Sequence, residues 1–451
     1  MKFKSSNFRP SQLSGVSRRE YLKTLSLGAA SMALPGISEA NVKQGRSAAP
    51  VHELGRAKHC IFLWLGGGAC HIDTFDPKPL GDPKQGGKRP GSHYPAIDTA
   101  IEGVQVCEHL AGLATRLDRG IIIRSLHHDV IDEHAAATNR MHVGRPPTGT
   151  TQYPSIGSVV SQQLGNNGTA IPPYVVMGYP SATRGPGFLG TQYGYIYLTD
   201  TEAGPAGLKR PVDVSVERSR RRNALLQRQI SRLQQQHGGD SVVSQYSKIS
   251  EQAMRLAGPD FMNVFDLRSE TSQLRLSYGE EFGQRCLLAR RLVQSGVRFV
   301  EVSFNLNFIN GTGWDTHNEG QENQYILIRQ LDQAVSALLD DLERVGHLDD
   351  TLVVIATEFG RPPEFDGGGG RGHQSRAFST VLFGGGLKTG QVIGSTDDFG
   401  RKVAENPVSV PDFHATLYAS MGINPTHEIY DGERPVPLTD QGQPLAEVFS
   451  S

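Results

Sequence analysis

Six short apolar runs, each closed by glycine or by polar residues, constrain this chain more than any other feature. Cys60-Ile61-Phe62-Leu63-Trp64-Leu65 stops at Gly66-Gly67-Gly68, and residues 120–124, 174–177, 297–302, 351–356 and 379–383 repeat the pattern. A strand with one wet face alternates apolar and polar side chains. Runs that hardly alternate read as strands covered on both faces, as in parallel sheets. Helical patterns lie between the runs. Residues 280–295 carry Phe282, Cys286, Leu287, Ala289 and Leu292 at helical spacing, with Gly296 as the stop, and residues 322–345 carry Ile328, Leu331, Ala334, Leu338 and Leu342 on one face. Strand–helix alternation predicts an α/β fold, a central, mostly parallel sheet with helices on both faces. Ligands of such sheets bind beyond the carboxyl ends of the strands, so chemistry is expected just after each run.

Metal-ligand residue types gather in those places. His71, Asp73 and Asp76 follow the first run, and Ser125, His127, His128, Asp129, Asp132 and His134 follow the second. Trp314-Asp315-Thr316-His317 comes after the fourth, Glu358-Phe359-Gly360-Arg361 after the fifth, and then Arg371-Gly372-His373. Asp315 and His317, two apart on an extended segment, point to the same side. Glu358 ends a buried strand, where a carboxylate needs a metal, an arginine or hydrogen-bond donors; Arg361 is the alternative partner. Asp132 is placed to cap a helix carrying His134, Thr138 and His142 on one face, a stripe that packing also explains. The predicted metal ligands are Asp73, Asp315, His317, Glu358 and His373, holding a divalent ion such as zinc, manganese or calcium. No Gly-x-Ser-x-Gly elbow, phosphate-binding P-loop or strand-linked dinucleotide fingerprint occurs.

The N-terminus carries an address. Ser17-Arg18-Arg19-Glu20-Tyr21-Leu22-Lys23, a short apolar run from Leu25 to Leu34, and small residues up to Ala40 read as a twin-arginine export signal over 1–40. The run falls well short of the roughly 20 residues a bilayer span needs, so the mature form is expected to have no stable span. The expected location is periplasmic or extracellular, reached through the twin-arginine translocon, which carries folded proteins. Residues 41–57 read as a linker and 58–451 as one domain. Within it, 180–275 breaks the rhythm and reads as a side insertion with an arginine- and glutamine-rich helix near 216–236. A formal net charge of -1 argues that these arginines are a solvated face and that nucleic acid is not a partner. The four cysteines have no paired spacing, so a disulfide framework is not expected, although a Cys70–Cys107 bridge stays open.

Asp73-Thr74-Phe75-Asp76-Pro77-Lys78-Pro79, the segment 282–293, Trp314-Asp315-Thr316-His317, Glu358-Phe359-Gly360-Arg361 and the leader together resemble the domain of unknown function 1501 family. The resemblance covers nearly the whole mature chain. It implies an alkaline phosphatase- and sulfatase-like fold with a metal site at the carboxyl ends of the strands. It also implies departures. Gly66 or Gly67 stands where such enzymes have an aspartate after the first strand, and Phe359 stands where they have a histidine. Matching Met141–Pro146 to the sulfatase-like helix ending puts the nucleophile position near His134.

The function these observations imply is an exported, metal-dependent hydrolase of phosphate or sulfate esters, with an anionic ester such as a sulfated or phosphorylated glycan as substrate. His134, His127 or His128 would act as nucleophile or general acid, and Arg361 or Arg371 would bind anionic oxygens. The alternative is a catalytically silent descendant binding a glycan or a protein partner in the old cleft.

Overall fold

All six apolar runs become strands of one sheet. The structure, a computed structural model, describes residues 54–449 apart from 147–148, 150, 166–170, 179–180, 200, 202–203, 206–212, 238, 257–258, 305–306, 309–310 and 318–319. The expected leader, and the expected linker up to residue 53, lie outside the described residues.

The strands are β1 (His59–Trp64), β2 (Gly120–His127), β3 (Tyr174–Met177), β4 (Ile196–Leu198), β5 (Phe299–Ser303), β6 (Thr351–Ala356), β7 (Phe378–Gly384), β8 (Gln391–Ile393) and β9 (Val408–Ser409). Their order is β8-β2-β7-β6-β1-β5-β3-β4, with β9 beside β2. Every pairing is parallel except the two made by β7, which runs against β6 and β2. The fold is therefore α/β with a mostly parallel sheet. β4 comes from within the expected insertion 180–275 and pairs with β3, so the start of that range completes the sheet edge.

The helices are α1 (His134–Val143), α2 (Ile156–Leu164), α3 (Val216–His237), α4 (Ser241–Leu256), α5 (Glu281–Ser295), α6 (Tyr325–Arg344) and α7 (Val410–Ser420). Along β1, Ile61 and Leu63 face one core with Leu287 of α5 and Leu331 and Leu338 of α6. Cys60, Phe62 and Trp64 face the other, with Met141 of α1, Val159 of α2 and Phe413 of α7. This two-sided covering is why the runs do not alternate. Each such leucine or phenylalanine contributes at most about 1.5–3 kcal/mol by leaving water. Gly296 ends α5 at φ +108°, a left-handed conformation that glycine adopts without strain. No described helix is long and apolar enough to cross a membrane. All four cysteines are buried free thiols, so the Cys70–Cys107 bridge is not formed.

One charged residue sits in the sheet itself. Glu301 of β5 is fully buried, ion-paired with Arg184, and has His142 Nε2 3.3 Å from its Oε2. Burial opposes its charge, but Arg184 and His142 outweigh that and lower its pKa to about 2. A carboxylate whose folded pKa lies below its unfolded value stabilises the fold above the unfolded pKa, and that contribution is lost as pH falls toward the folded one. Stability is therefore expected to drop by a few kcal/mol, on the order of 1.4 per pKa unit, between about pH 4.5 and pH 2. Acid unfolding of wild type and Glu301→Gln checks this, since the variant should lack that part of the slope.

Candidate metal centre

β1, β5 and β6 end level, with Trp64 opposite both Ser303 and Ala356. The loops leaving them consequently meet at one edge of the sheet. The glycine run after β1 allows a close approach. Gly67 sits at φ +117°, and a Cβ there would lie 2.2 Å from the Asp315 nitrogen. Trp314 N–H donates to the Gly66 carbonyl at 2.9 Å. Asp315 is thereby held beside the strand ends although it is remote from them in sequence.

Arg361 fixes it there. Its side chain is wholly buried and donates to the carbonyls of Gly68, Arg371 and Trp314 at 2.8–3.2 Å, to that of Gly67, and to Asp315 Oδ1 at 2.7 Å. No guanidinium edge is left for a substrate. Arg371 is equally committed. It pairs with Asp73 at 3.0 Å, donates to the carbonyls of Pro363 and Gly91, and stacks on Phe365. Both arginines build the site rather than bind an anion.

His134, Asp315 and His373 form the centre. His134 Nε2 and His373 Nε2 face each other at 3.1 Å, and Asp315 Oδ1 lies 3.4 Å from each. Each ring is backed by a carboxylate on its other nitrogen. His134 Nδ1 is 2.8 Å from Glu358 Oε1, and His373 Nδ1 is 2.6 Å from Asp132 Oδ1. Those carboxylates place the imidazole protons on Nδ1 and leave two Nε2 lone pairs aimed at one another, an arrangement that a second proton on one ring or a metal ion between them would satisfy. Bonds of about 2.0–2.1 Å to a tetrahedral ion set ligand atoms roughly 3.3 Å apart, which matches the triangle. Among the described residues this is the group of ligand types close enough to hold an ion. His317 adjoins it, with Nε2 2.9 Å from Asp315 Oδ1, at the more exposed rim.

The electrostatics agree. Burial alone would lower the basicity of His134, but Asp315 and Glu358 outweigh it and raise its pKa to about 9. Burial also opposes the charge of Asp315, yet His134, His373 and Arg361 hold its carboxyl far below the usual range. The pocket demands positive charge, and a proton or a metal ion can supply it.

Several of the expected site residues lie apart from this triangle. Asp73 makes none of these contacts, because its buried carboxylate is taken by Arg371, by Gln321 Nε2 at 2.5 Å and by the His93 N–H at 2.6 Å. Glu358 stands behind His134 rather than beside an ion. It accepts from the Gly67 N–H at 2.7 Å, and the Thr357 hydroxyl is 3.3 Å away. His128 is a satisfied core residue. Its Nδ1 accepts from the Val130 N–H, so Nε2 donates to the Glu358 carbonyl at 2.6 Å, and burial lowers its pKa. His127 Nδ1 reaches the Ser125 carbonyl at 3.3 Å and no member of the cluster. His142, two turns beyond His134, packs against Trp64. Asp132 was expected to cap α1, but Glu133 does so, accepting from the N–H groups of Ala135 and Ala136. That frees Asp132 to support His373, a role with no local sequence signal because either acid could have been the cap.

The family model described as "Protein of unknown function (DUF1501)" matches residues 57–449. This chain belongs to that family. No curated protein sequence matches it. Solved structures similar to this DUF1501 chain include the lipoteichoic acid synthase LtaP from Listeria monocytogenes, at 10% identity over 86% of this chain and 76% of that one, TM-score 0.38. Another is the PsFucS1 sulfatase from Pseudoalteromonas sp., at 13% over 82% and 68%, TM-score 0.37. A third is an alkaline phosphatase superfamily protein from Vibrio parahaemolyticus, at 10% over 82% and 67%, TM-score 0.37.

The supporting carboxylates of the DUF1501 centre offer a graded test. Glu358→Gln keeps a hydrogen-bond acceptor behind His134 but removes the charge. Metal affinity is expected to fall roughly 10–100-fold, measured by competition with a chromogenic chelator, while the far-ultraviolet circular dichroism stays unchanged.

Proposed function

We propose that this protein is an exported, metal-dependent hydrolase of phosphate or sulfate esters. The observation that carries this reading is the facing pair of imidazole nitrogens, each backed by a carboxylate, with Asp315 completing the triangle. His134, His373 and Asp315 would hold the ion. Two nitrogens and one carboxylate suit zinc, manganese or iron better than calcium, which takes six to eight oxygens. When bound, a divalent ion supplies Lewis acidity toward the ester oxygen and acidifies water. Glu358 and Asp132 keep the two rings in the ligating tautomer, and Arg361 keeps Asp315 in place. The Thr357 hydroxyl beside Glu358 is occupied, donating to the Leu65 carbonyl at 2.9 Å and accepting from the Ala69 N–H. Attack by water therefore fits better than a covalent intermediate on this threonine. The twin-arginine leader supports export, and loading of a metal before transport would suit a route for folded proteins.

One feature favours a second reading, a silent protein that binds a glycan or a protein partner. Both arginines near the site are wholly committed to protein groups. Metal analysis of the purified protein, followed by assay with aryl phosphates and aryl sulfates, decides between them. Turnover that a chelator removes and the ion restores is expected. Failure with both esters across zinc, manganese and calcium would overturn the hydrolase reading.

A further inference from the structure

Helix α3 presents an unmatched cationic face. It carries six arginines and a single carboxylate, Glu217. Its apolar residues Leu226, Ile230 and Leu233 share one side at helical spacing; Ile230 is buried, Leu233 half-buried and Leu226 exposed. Arg221, Arg228 and Arg232 lie at i, i+7 and i+11 on a different side, all exposed and along about 16 Å of helix. No ion pair within the described residues engages them. Arg228 and Arg232 share this open helix surface with Ala224, Gln227, Ser231 and Gln235.

We infer that this face of α3 binds a linear polysaccharide bearing sulfate or phosphate groups. A planar guanidinium matches the tetrahedral oxygens of either group with paired hydrogen bonds. Glutamine and serine between the arginines offer donors and acceptors to sugar hydroxyls. A membrane surface fits less well, since an interfacial helix must offer a broad apolar face and Ile230, at the centre of the apolar side of α3, is buried. Single-stranded nucleic acid also fits less well, because α3 has no Phe, Tyr or Trp on which bases could stack. The inference does not depend on the metal centre, and binding is expected to survive a chelator.

The test titrates the full chain, in chelator, with dextran sulfate, neutral dextran, phosphatidylglycerol vesicles and duplex DNA. Dextran sulfate should bind and neutral dextran should not. In the triple variant Arg221→Gln, Arg228→Gln, Arg232→Gln the affinity should fall at least about tenfold, and the salt slope should shrink by about two, as expected for three lost charges. Thermal unfolding should not change, since the three positions are solvated. Equal binding by wild type and variant would overturn the inference, as would tighter binding to vesicles or DNA than to dextran sulfate. Wild-type affinity for dextran sulfate that does not fall with added salt would overturn it without any variant. Loss of ester hydrolysis with this binding intact would refute the metal-centre reading alone.

Discussion

His134→Asn is expected to lose metal by roughly 100-fold or more in affinity, and with it ester hydrolysis. The asparagine amide can still donate to Glu358, as Nδ1–H of the imidazole does at 2.8 Å. The nitrogen that faces His373 is gone, so two of the three proposed ligands remain. Removing a mere supporting partner typically costs 10–100-fold, and removing a ligand should cost more. The site is partly exposed and the hydrogen bond to Glu358 is retained, so the fold should survive. Chelator competition and aryl ester turnover on the same preparation check both effects. Unchanged metal affinity would mean that His134 is not a ligand.

Asp73→Ala is expected to do the reverse, leaving the metal in place and weakening the fold. Asp73 and Arg371 are both fully buried, and the guanidinium would lose its counter-charge while keeping the carbonyls of Pro363 and Gly91. Breaking a buried pair from one side costs about 3–5 kcal/mol. Denaturant unfolding should show that loss, and metal content measured at low temperature should equal wild type. Metal lost from a folded Asp73→Ala protein would restore Asp73 to the ligand set.

The contrast between these two acids shows what was legible in the sequence. The sheet was readable because its strands are covered on both faces, and a run such as residues 60–65 records that directly. The antiparallel course of β7 was not readable, since burial constrains side chains and says nothing of direction. At the site, ligand types after successive strands pointed to one edge of the sheet, and Asp315, His317 and His373 lie together there. The division between ligand and support was not readable. Asp73 and Glu358 both follow strands and are both buried, yet Arg371 draws one away and His134 turns the other into a backing group. Arg361 carried the same ambiguity. Sequence suggested a pairing with Glu358 or an anion, and the structure gives it to Asp315 because the glycine run after β1 brings that loop within reach. Asp132 was hidden by its neighbour, since either acid at 132 or 133 could cap α1.

Anomalous diffraction at the zinc edge from zinc-loaded crystals tests the central claim most directly. A single peak about 2.0–2.2 Å from His134 Nε2, His373 Nε2 and a carboxylate oxygen of Asp315 is expected. A peak at other residues, or none at this triangle after loading, would contradict it.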